Sequence, residues 1–130
     1  MQDIFIEDRG IGTPLVLVYG FLGSSEMWTL QTDFFKRNFR VLTPALPGFG
    51  KSNKANSCNS IEGMAKSILT SLEKKKTERF YLLGQSMGGM IVQEMVKLVG
   101  EKILKLICYG TEPRGNISGR FETINISREN

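Results

Sequence analysis

The 130-residue sequence contains no histidine and only two cysteines, Cys58 and Cys108. Without histidine, and with separated cysteines and scattered carboxylates, the sequence indicates no cluster of metal ligands. Two cysteines are too few for a disulfide framework, which favours a reducing, cytoplasmic setting. Cys108 ends a predicted strand and is interpreted as a small buried apolar residue rather than a nucleophile.

Long apolar runs are also missing. No stretch approaches the roughly 20 apolar residues of a membrane helix, and the acidic start "MQDIFIEDRG" is unlike a secretory signal peptide. The net charge is only +4, and the lysines at 74–76 sit where a helix is expected to end, where cations complement the helix dipole. We therefore expect neither a membrane span nor a nucleic-acid partner, because no basic face with interleaved aromatic residues is present.

A nucleotide cofactor is not indicated either. The stretch "ALPGFGKS" ends like a phosphate-binding loop, but Ala45 stands where that motif needs glycine and Pro47 interrupts it. After Ser52 no helix is predicted to begin before Asn59, whereas the phosphate-binding motif leads directly into one. No cofactor site of any kind is predicted.

Strand and helix patterns alternate along the chain. Predicted strands are "DIFIED", which alternates apolar and polar residues, and three apolar runs read as buried strands, "PLVLVYG", "FRVLTPAL" and "RFYLLG". A last strand is predicted at "KILKLICYG". Segments with helical periodicity separate these strands. The first predicted helix starts at Ser24 or Ser25, and the second starts at a capping-box-like pair of Asn59 and Glu62. The third is closed by Gly100. This alternation predicts an α/β fold, a mostly parallel sheet with flanking helices.

The sharpest motif is "GQSMGG", residues 84–89. G-x-S-x-G between a buried strand and a helix is the pattern of a nucleophile elbow, in which small residues at 84 and 88 let strand and helix approach closely. The elbow presents Ser86 and directs the N–H of Met87 toward a developing oxyanion. On these residues alone, a plain strand-to-helix turn capped by Ser86 remains the alternative.

Three stretches in this order, "PLVLVYGFLGSSEMW", "FRVLTPALPGFGKS" and "FYLLGQSMGGMIVQEM", resemble the α/β-hydrolase family. The resemblance covers residues 1 to about 110, the amino-terminal half of the family's sheet. It implies that Ser86 is the nucleophile, that the backbone N–H groups of Phe21 and Met87 form the oxyanion hole, and that the substrate is a small acyl compound. It also implies a catalytic acid and a histidine on later loops, in the order Ser, Asp or Glu, His.

The chain departs from the family pattern at two positions where the usual histidine is structural or variable, and at the acid and histidine that would activate Ser86. Tyr19 and Gln85 occupy positions where relatives often have histidine. The aspartates all precede the nucleophile; they are Asp3, Asp8 and Asp33. Glu112 is a candidate acid, although a solvated loop glutamate with no base to orient fits it better.

We therefore expect a truncated fragment with two parts: residues 1–110, an α/β-hydrolase core without its later strands, and residues 111–130, a polar segment leading toward a missing cap and carboxyl-terminal half. The strand ending near Gly110 should then form an exposed apolar edge that promotes self-association. The expected function is an esterase- or lipase-like serine hydrolase, nearly inactive as this chain alone. The alternatives are a non-catalytic relative that binds a small ligand, or one half of a two-chain enzyme.

Overall fold

The structure, a computed structural model, describes residues 4–18, 29–45, 60–85, 87–109 and 123–126. Its elements in chain order are β1 (Ile6–Arg9), β2 (Thr13–Val18), α1 (Thr29–Phe35), β3 (Phe39–Pro44), α2 (Ile61–Lys74), β4 (Phe80–Gln85), α3 (Met87–Val99), β5 (Ile103–Tyr109) and β6 (Thr123–Ile126), with a short 3-10 turn at Gly100–Lys102. None of the helices in these ranges is long and apolar enough to cross a membrane.

The six strands form one sheet in the order β1-β3-β2-β4-β5-β6. β1 runs antiparallel to β3, and every other neighbouring pair is parallel. From β2 the chain first steps to β3 on one side, and it then returns across β2 to β4 and continues outward through β5 to β6. The predicted α/β class with a mostly parallel sheet is confirmed.

Helices α2 and α3 pack against each other and cover one face of the sheet. Gly84 of β4 lies against Gly88 and Val92 of α3, and its sheet neighbour Cys108 contacts the same helix. Burial of apolar side chains between this face and the helices drives the packing. The largest fully buried side chains include Leu17, Leu42, Ile68, Leu72, Phe80, Leu82, Ile91, Met95 and Leu106.

The start of α2 differs by one residue from its predicted position. Ser60, not Asn59, is the N-cap: its backbone is extended and its Oγ accepts a hydrogen bond from the N–H of Gly63 at 2.9 Å. The predicted pairing of Asn59 with Glu62 was therefore wrong, because the serine hydroxyl reaches a first-turn N–H that the helix leaves unpaired. The helix ends at Lys74, as the lysine triplet predicted.

Two predictions about the strands were wrong. β4 is not buried on both faces, because Tyr81, Leu83 and Gln85 alternate with its buried residues and are only half-buried. β5 is not the edge of the sheet, because residues 123–126 pair with Leu106–Tyr109 in parallel. β6 has only four residues, too few to show a periodicity. Its pairing with β5 could not be predicted from the residue pattern of either segment alone. The division of the chain at residue 110 remains a prediction.

Candidate active site

The sheet topology itself singles out one place for a ligand. Val18 of β2 and Gly84 of β4 are register partners at the carboxyl ends of adjacent parallel strands. The connection after β2 leads to one side of the sheet and the connection after β4 leads to the other. Such a reversal opens a crevice outside the strand ends, where ligands of open α/β sheets bind. The G-x-S-x-G motif begins at this point.

The junction between β4 and α3 is as tight as the motif predicts. β4 ends at Gln85 and α3 begins at Met87, so a single residue separates strand from helix. A Cβ on Gly84 would lie 2.5 Å from the carbonyl oxygen of Gly88 and 2.7 Å from Cγ2 of Val92. Because those distances are far below van der Waals contact, only glycine fits at position 84 without a shift of the helix.

The first turn of α3 is fixed by contacts to the next turn of the same helix and to β5. The carbonyl oxygen of Gly89 accepts a hydrogen bond from Nε2 of Gln93 at 3.0 Å and a longer one from Sγ of Cys108 at 3.8 Å. Sequence reasoning missed Gln93, although a polar residue on the apolar stripe of a predicted helix is a usable signal. These contacts hold the amino end of α3 in place beside the carboxyl end of β4.

The electrostatics of this end of α3 favour negative charge. The first N–H groups of a helix lack intrahelical partners, and the helix dipole is positive there. No acidic residue lies in the first turn of α3. An anion that develops next to the β4–α3 junction would therefore be stabilised.

The predicted site residues fall partly outside the described residues. Ser86 and Phe21 lie outside the described residues, as do Tyr19 and Glu112. Met87 is the first residue of α3, half-buried and packed against the core. The roles assigned to Ser86, Phe21 and Met87 therefore stay predictions.

The two described aspartates are engaged elsewhere. Nε and Nη2 of Arg40 donate to the two carboxylate oxygens of Asp8 at 3.0 and 2.7 Å. These bonds hold the pKa of Asp8 below its usual value, against the opposing effect of partial burial. Asp33 on α1 pairs with Lys36 at 3.3 Å and is exposed. Asp8 lies on β1, with β3 and β2 between it and β4, so it cannot serve as the acid at this junction.

Cys108 is a poor nucleophile candidate in its observed environment. The side chain is buried in the core, and burial raises its pKa to about 11. The thiol therefore stays protonated at neutral pH, and the thiolate is the reactive form. The interpretation of Cys108 as a buried small apolar residue is confirmed. No group of three potential metal ligands occurs in the part of the chain that the structure describes.

The family model for the alpha/beta hydrolase fold matches residues 13–125. This chain belongs to the alpha/beta hydrolase family. One curated relative comes from Pseudomonas putida: the dihydrolipoyllysine-residue acetyltransferase component of its acetoin cleaving system. It is 30% identical to this alpha/beta hydrolase chain over 111 residues, which are 85% of this chain and 30% of that protein. The pimeloyl-(acyl-carrier protein) methyl ester esterase of Aliivibrio fischeri is 28% identical over 111 residues, 85% of this chain and 41% of the esterase.

Solved structures share the fold of this alpha/beta hydrolase chain. A marine microorganism esterase superposes with a TM-score of 0.80 at 23% identity, covering 92% of this chain and 47% of its own. The chain thus spans less than half the length of these three proteins, and it corresponds to the amino-terminal part of the fold.

Proposed function

We propose that this chain carries the nucleophile of a serine hydrolase that acts on an ester or another small acyl compound, with Ser86 as that nucleophile. The observation that carries the proposal is the β4–α3 junction. One residue separates strand from helix, and the pair is so close at Gly84 that no side chain fits there. That close approach is what a G-x-S-x-G turn needs to hold its serine at the end of the sheet.

The chemistry follows from the position of that turn. Oγ of Ser86 would attack the carbonyl carbon of the substrate, and the carbonyl oxygen would become an oxyanion. The N–H groups of Met87 and Phe21 would donate to that oxyanion, and the positive end of the α3 dipole would add to its stabilisation. The tetrahedral intermediate would then collapse to an acyl-serine and release the alcohol. Water would hydrolyse the acyl-serine in a second step.

The attack also requires a base, since a serine hydroxyl is a weak nucleophile at neutral pH. No histidine occurs among the 130 residues. In our proposal the base and its orienting acid come from a polypeptide segment outside these residues. The names of the two curated relatives, a methyl ester esterase and an acetyltransferase component, support an acyl substrate.

A chimera tests the role of Ser86 directly. Residues 1–126 would be joined to the part of the Aliivibrio fischeri esterase that follows its matched region, and hydrolysis of p-nitrophenyl butyrate would be followed. We expect turnover that Ser86→Ala lowers by a factor on the order of 10⁴ to 10⁶.

The matched control is Ser67→Ala, because Ser67 is buried in α2 and its hydroxyl has no hydrogen-bond partner among the described residues. This control should leave turnover unchanged. Turnover in the chimera that survives Ser86→Ala would refute the proposal.

The missing histidine favours one second candidate, a non-catalytic relative that binds a small apolar ligand. The same chimera separates the two. Binding of p-nitrophenyl butyrate without turnover, equally tight in the parent chimera and in its Ser86→Ala variant, would favour the non-catalytic relative.

A further inference from the structure

The buried stripe of α3 carries an amide side chain. Gln93 is only 1% exposed, and Ile91 and Met95, two residues before and after it, are fully buried apolar residues. Burying an amide costs free energy unless hydrogen bonds replace those it makes with water, whereas leucine or methionine would fill similar space without that cost. Gln93 is therefore expected to do something there that an apolar side chain cannot do.

The bond that Gln93 makes ends at the carbonyl oxygen of Gly89. Nε2 of Gln93 donates to that oxygen at 3.0 Å, and Sγ of Cys108 on β5 lies 3.8 Å from the same oxygen. Both contacts are buried, and a hydrogen bond is electrostatically stronger in a protein interior than in water. The carbonyl of Gly89 is therefore held by a side chain of its own helix and by a strand of the sheet.

The first turn of α3 needs such a restraint. Gly88 and Gly89 follow each other in this turn and are both buried, and Gly88 lies against Gly84 of β4. Glycine is one of the weakest helix formers, because it loses more backbone freedom on ordering than any other residue. The glycines that let α3 approach β4 thus also weaken the turn that they occupy.

The same turn holds the N–H group on which the proposed chemistry depends. Met87, the proposed oxyanion donor, is two residues before Gly89, so both lie in the first turn of α3. Donors stabilise an oxyanion best when they are fixed in place before the reaction, and a displacement of about 1 Å can lower the rate about a hundredfold. A restraint on Gly89 therefore also restrains the direction of the Met87 N–H.

We propose that Gln93 is a positioning residue of the hydrolase: its bond to the carbonyl oxygen of Gly89 keeps the first turn of α3 in the geometry in which the N–H of Met87 meets the oxyanion. Cys108 supports the same carbonyl through its longer contact. Gln93 acts through this turn and not on the substrate. The inference rests on the proposed function, because it concerns the oxyanion of that reaction.

Replacement of Gln93 by methionine tests the role. Methionine has a similar length and no donor, so Gln93→Met removes the bond to Gly89 and keeps the core filled. In the chimera that tests Ser86, we expect kcat for p-nitrophenyl butyrate to fall by a factor on the order of 10 to 100, with KM changed less than about twofold. Rates would be measured at a temperature where circular dichroism shows both proteins folded.

An inhibitor that mimics the oxyanion separates positioning from a general loss of structure. A trifluoromethyl ketone with a butyl chain forms a bond between its carbonyl carbon and Oγ of Ser86. The serine proton passes to the base of the joined segment, and the carbonyl oxygen becomes the oxyanion. Its inhibition constant should rise in Gln93→Met by about the factor by which kcat/KM falls. The inhibition constant of 1-hexanol, which forms no oxyanion, should stay within about twofold.

Thr70→Val is the matched control. Oγ1 of Thr70 on α2 donates to the carbonyl oxygen of Lys66 at 2.9 Å, which is four residues earlier, as Gly89 is to Gln93. Because this bond lies on another helix, its loss should leave kcat, KM and both inhibition constants unchanged.

Gln93→Glu covers the case in which Gln93→Met fails to fold. A protonated carboxyl can donate to the oxygen of Gly89, whereas a carboxylate can only accept. Burial raises the pKa of such a carboxyl. We therefore expect kcat of Gln93→Glu, relative to the parent chimera at each pH, to rise several-fold between about pH 9 and about pH 6.

The possible results distinguish this inference from the proposed function. Ser86-dependent turnover in the parent chimera that Gln93→Met leaves unchanged would overturn the inference and leave the proposed function standing. A fall in kcat without a matching change in inhibition by the trifluoromethyl ketone would give Gln93 a purely structural role, as would a pH-independent ratio for Gln93→Glu. Turnover in the parent chimera that does not depend on Ser86 would refute the proposed function and this inference with it.

Discussion

At the scale of single residues, Gly84 does most to shape the candidate active site. Its missing Cβ leaves room for the carbonyl of Gly88 and the side chain of Val92, so α3 can start one residue after β4 ends. The motif predicted this close approach, and the structure shows which atoms meet.

Gly84→Ala should therefore destabilise the protein. The added methyl group meets backbone at Gly88, which cannot rotate away, and overpacking of this kind costs about 1–3 kcal/mol. Urea unfolding followed by circular dichroism would measure the loss. Gly63→Ala in the first turn of α2 is the matched control and should not destabilise the protein, because alanine is preferred to glycine in a helix by up to about 1 kcal/mol. Equal stability of the two variants would show that α3 can move away from β4 at little cost.

The Asp8–Arg40 pair should make stability depend on pH. The folded-state pKa of Asp8 is lowered, mainly by the hydrogen bonds from Arg40. The pair therefore contributes stability above the ordinary aspartate pKa of about 4, and that contribution is lost as pH falls through the lowered value. Because both side chains are about one-quarter exposed, we expect no more than about 1 kcal/mol.

Asp8→Asn tests this contribution through its pH dependence. The variant should be less stable than the parent at pH 7, and the gap should narrow as pH falls below about 4 toward the lowered pKa of Asp8, as measured by urea midpoints. Asp33→Asn, at a more exposed pair, is the control and should show a smaller gap. A gap for Asp8→Asn that stays constant from pH 7 down through the acidic range in which the protein remains folded would assign the effect to something other than carboxylate charge.

At the scale of elements, the ends of helices and the edges of the sheet are where the structure departed from the sequence-based predictions. α2 begins one residue later than expected, and a short sixth strand covers the edge of β5. Both differences concern hydrogen bonds that a residue pattern does not specify.

Ser60→Ala should destabilise α2 by about 1 kcal/mol, since it removes the acceptor for the N–H of Gly63. Asn59→Ala is the matched control at the residue that the sequence favoured as the cap. Thermal unfolding of both variants would distinguish the two caps. A larger loss in Asn59→Ala than in Ser60→Ala would contradict the observed geometry.

Removal of β6 should make the protein associate. A chain ending at residue 110 would leave the backbone groups of Leu106–Tyr109 unpaired along an apolar strand, and such edges pair with other chains. Size-exclusion chromatography with light scattering should show larger species than for the parent chain. A chain ending at residue 126 keeps β6 and serves as the control. Identical, monomeric behaviour of all three chains would show that β6 does not protect the edge.

At the scale of the whole molecule, the chain corresponds to less than half the length of the relatives compared above. It holds the junction proposed to mount the nucleophile but no histidine. The chain by itself should therefore be a weak catalyst.

The purified 130-residue chain should hydrolyse p-nitrophenyl butyrate only slowly. An oxyanion hole without its triad retains a factor on the order of 10³ to 10⁴ over water, so the activity should fall far below that of the chimera. Comparison of the rates of the chain, of its Ser86→Ala variant and of the chimera, under one set of conditions, would test this. Robust turnover by the chain alone would require a base that the sequence does not reveal.

The sequence by itself determined the fold class, the order of the main elements and the place of the G-x-S-x-G motif. Apolar periodicity indicates which side chains of a segment are buried, and small residues indicate where the backbone turns tightly or packs closely. Only the tertiary structure decided that Val18 adjoins Gly84 and that residues 123–126 extend the sheet beyond β5. These features depend on which distant segments become neighbours. Strand order and face coverage are set by pairing and packing across the whole chain, and no stretch of sequence carries them alone.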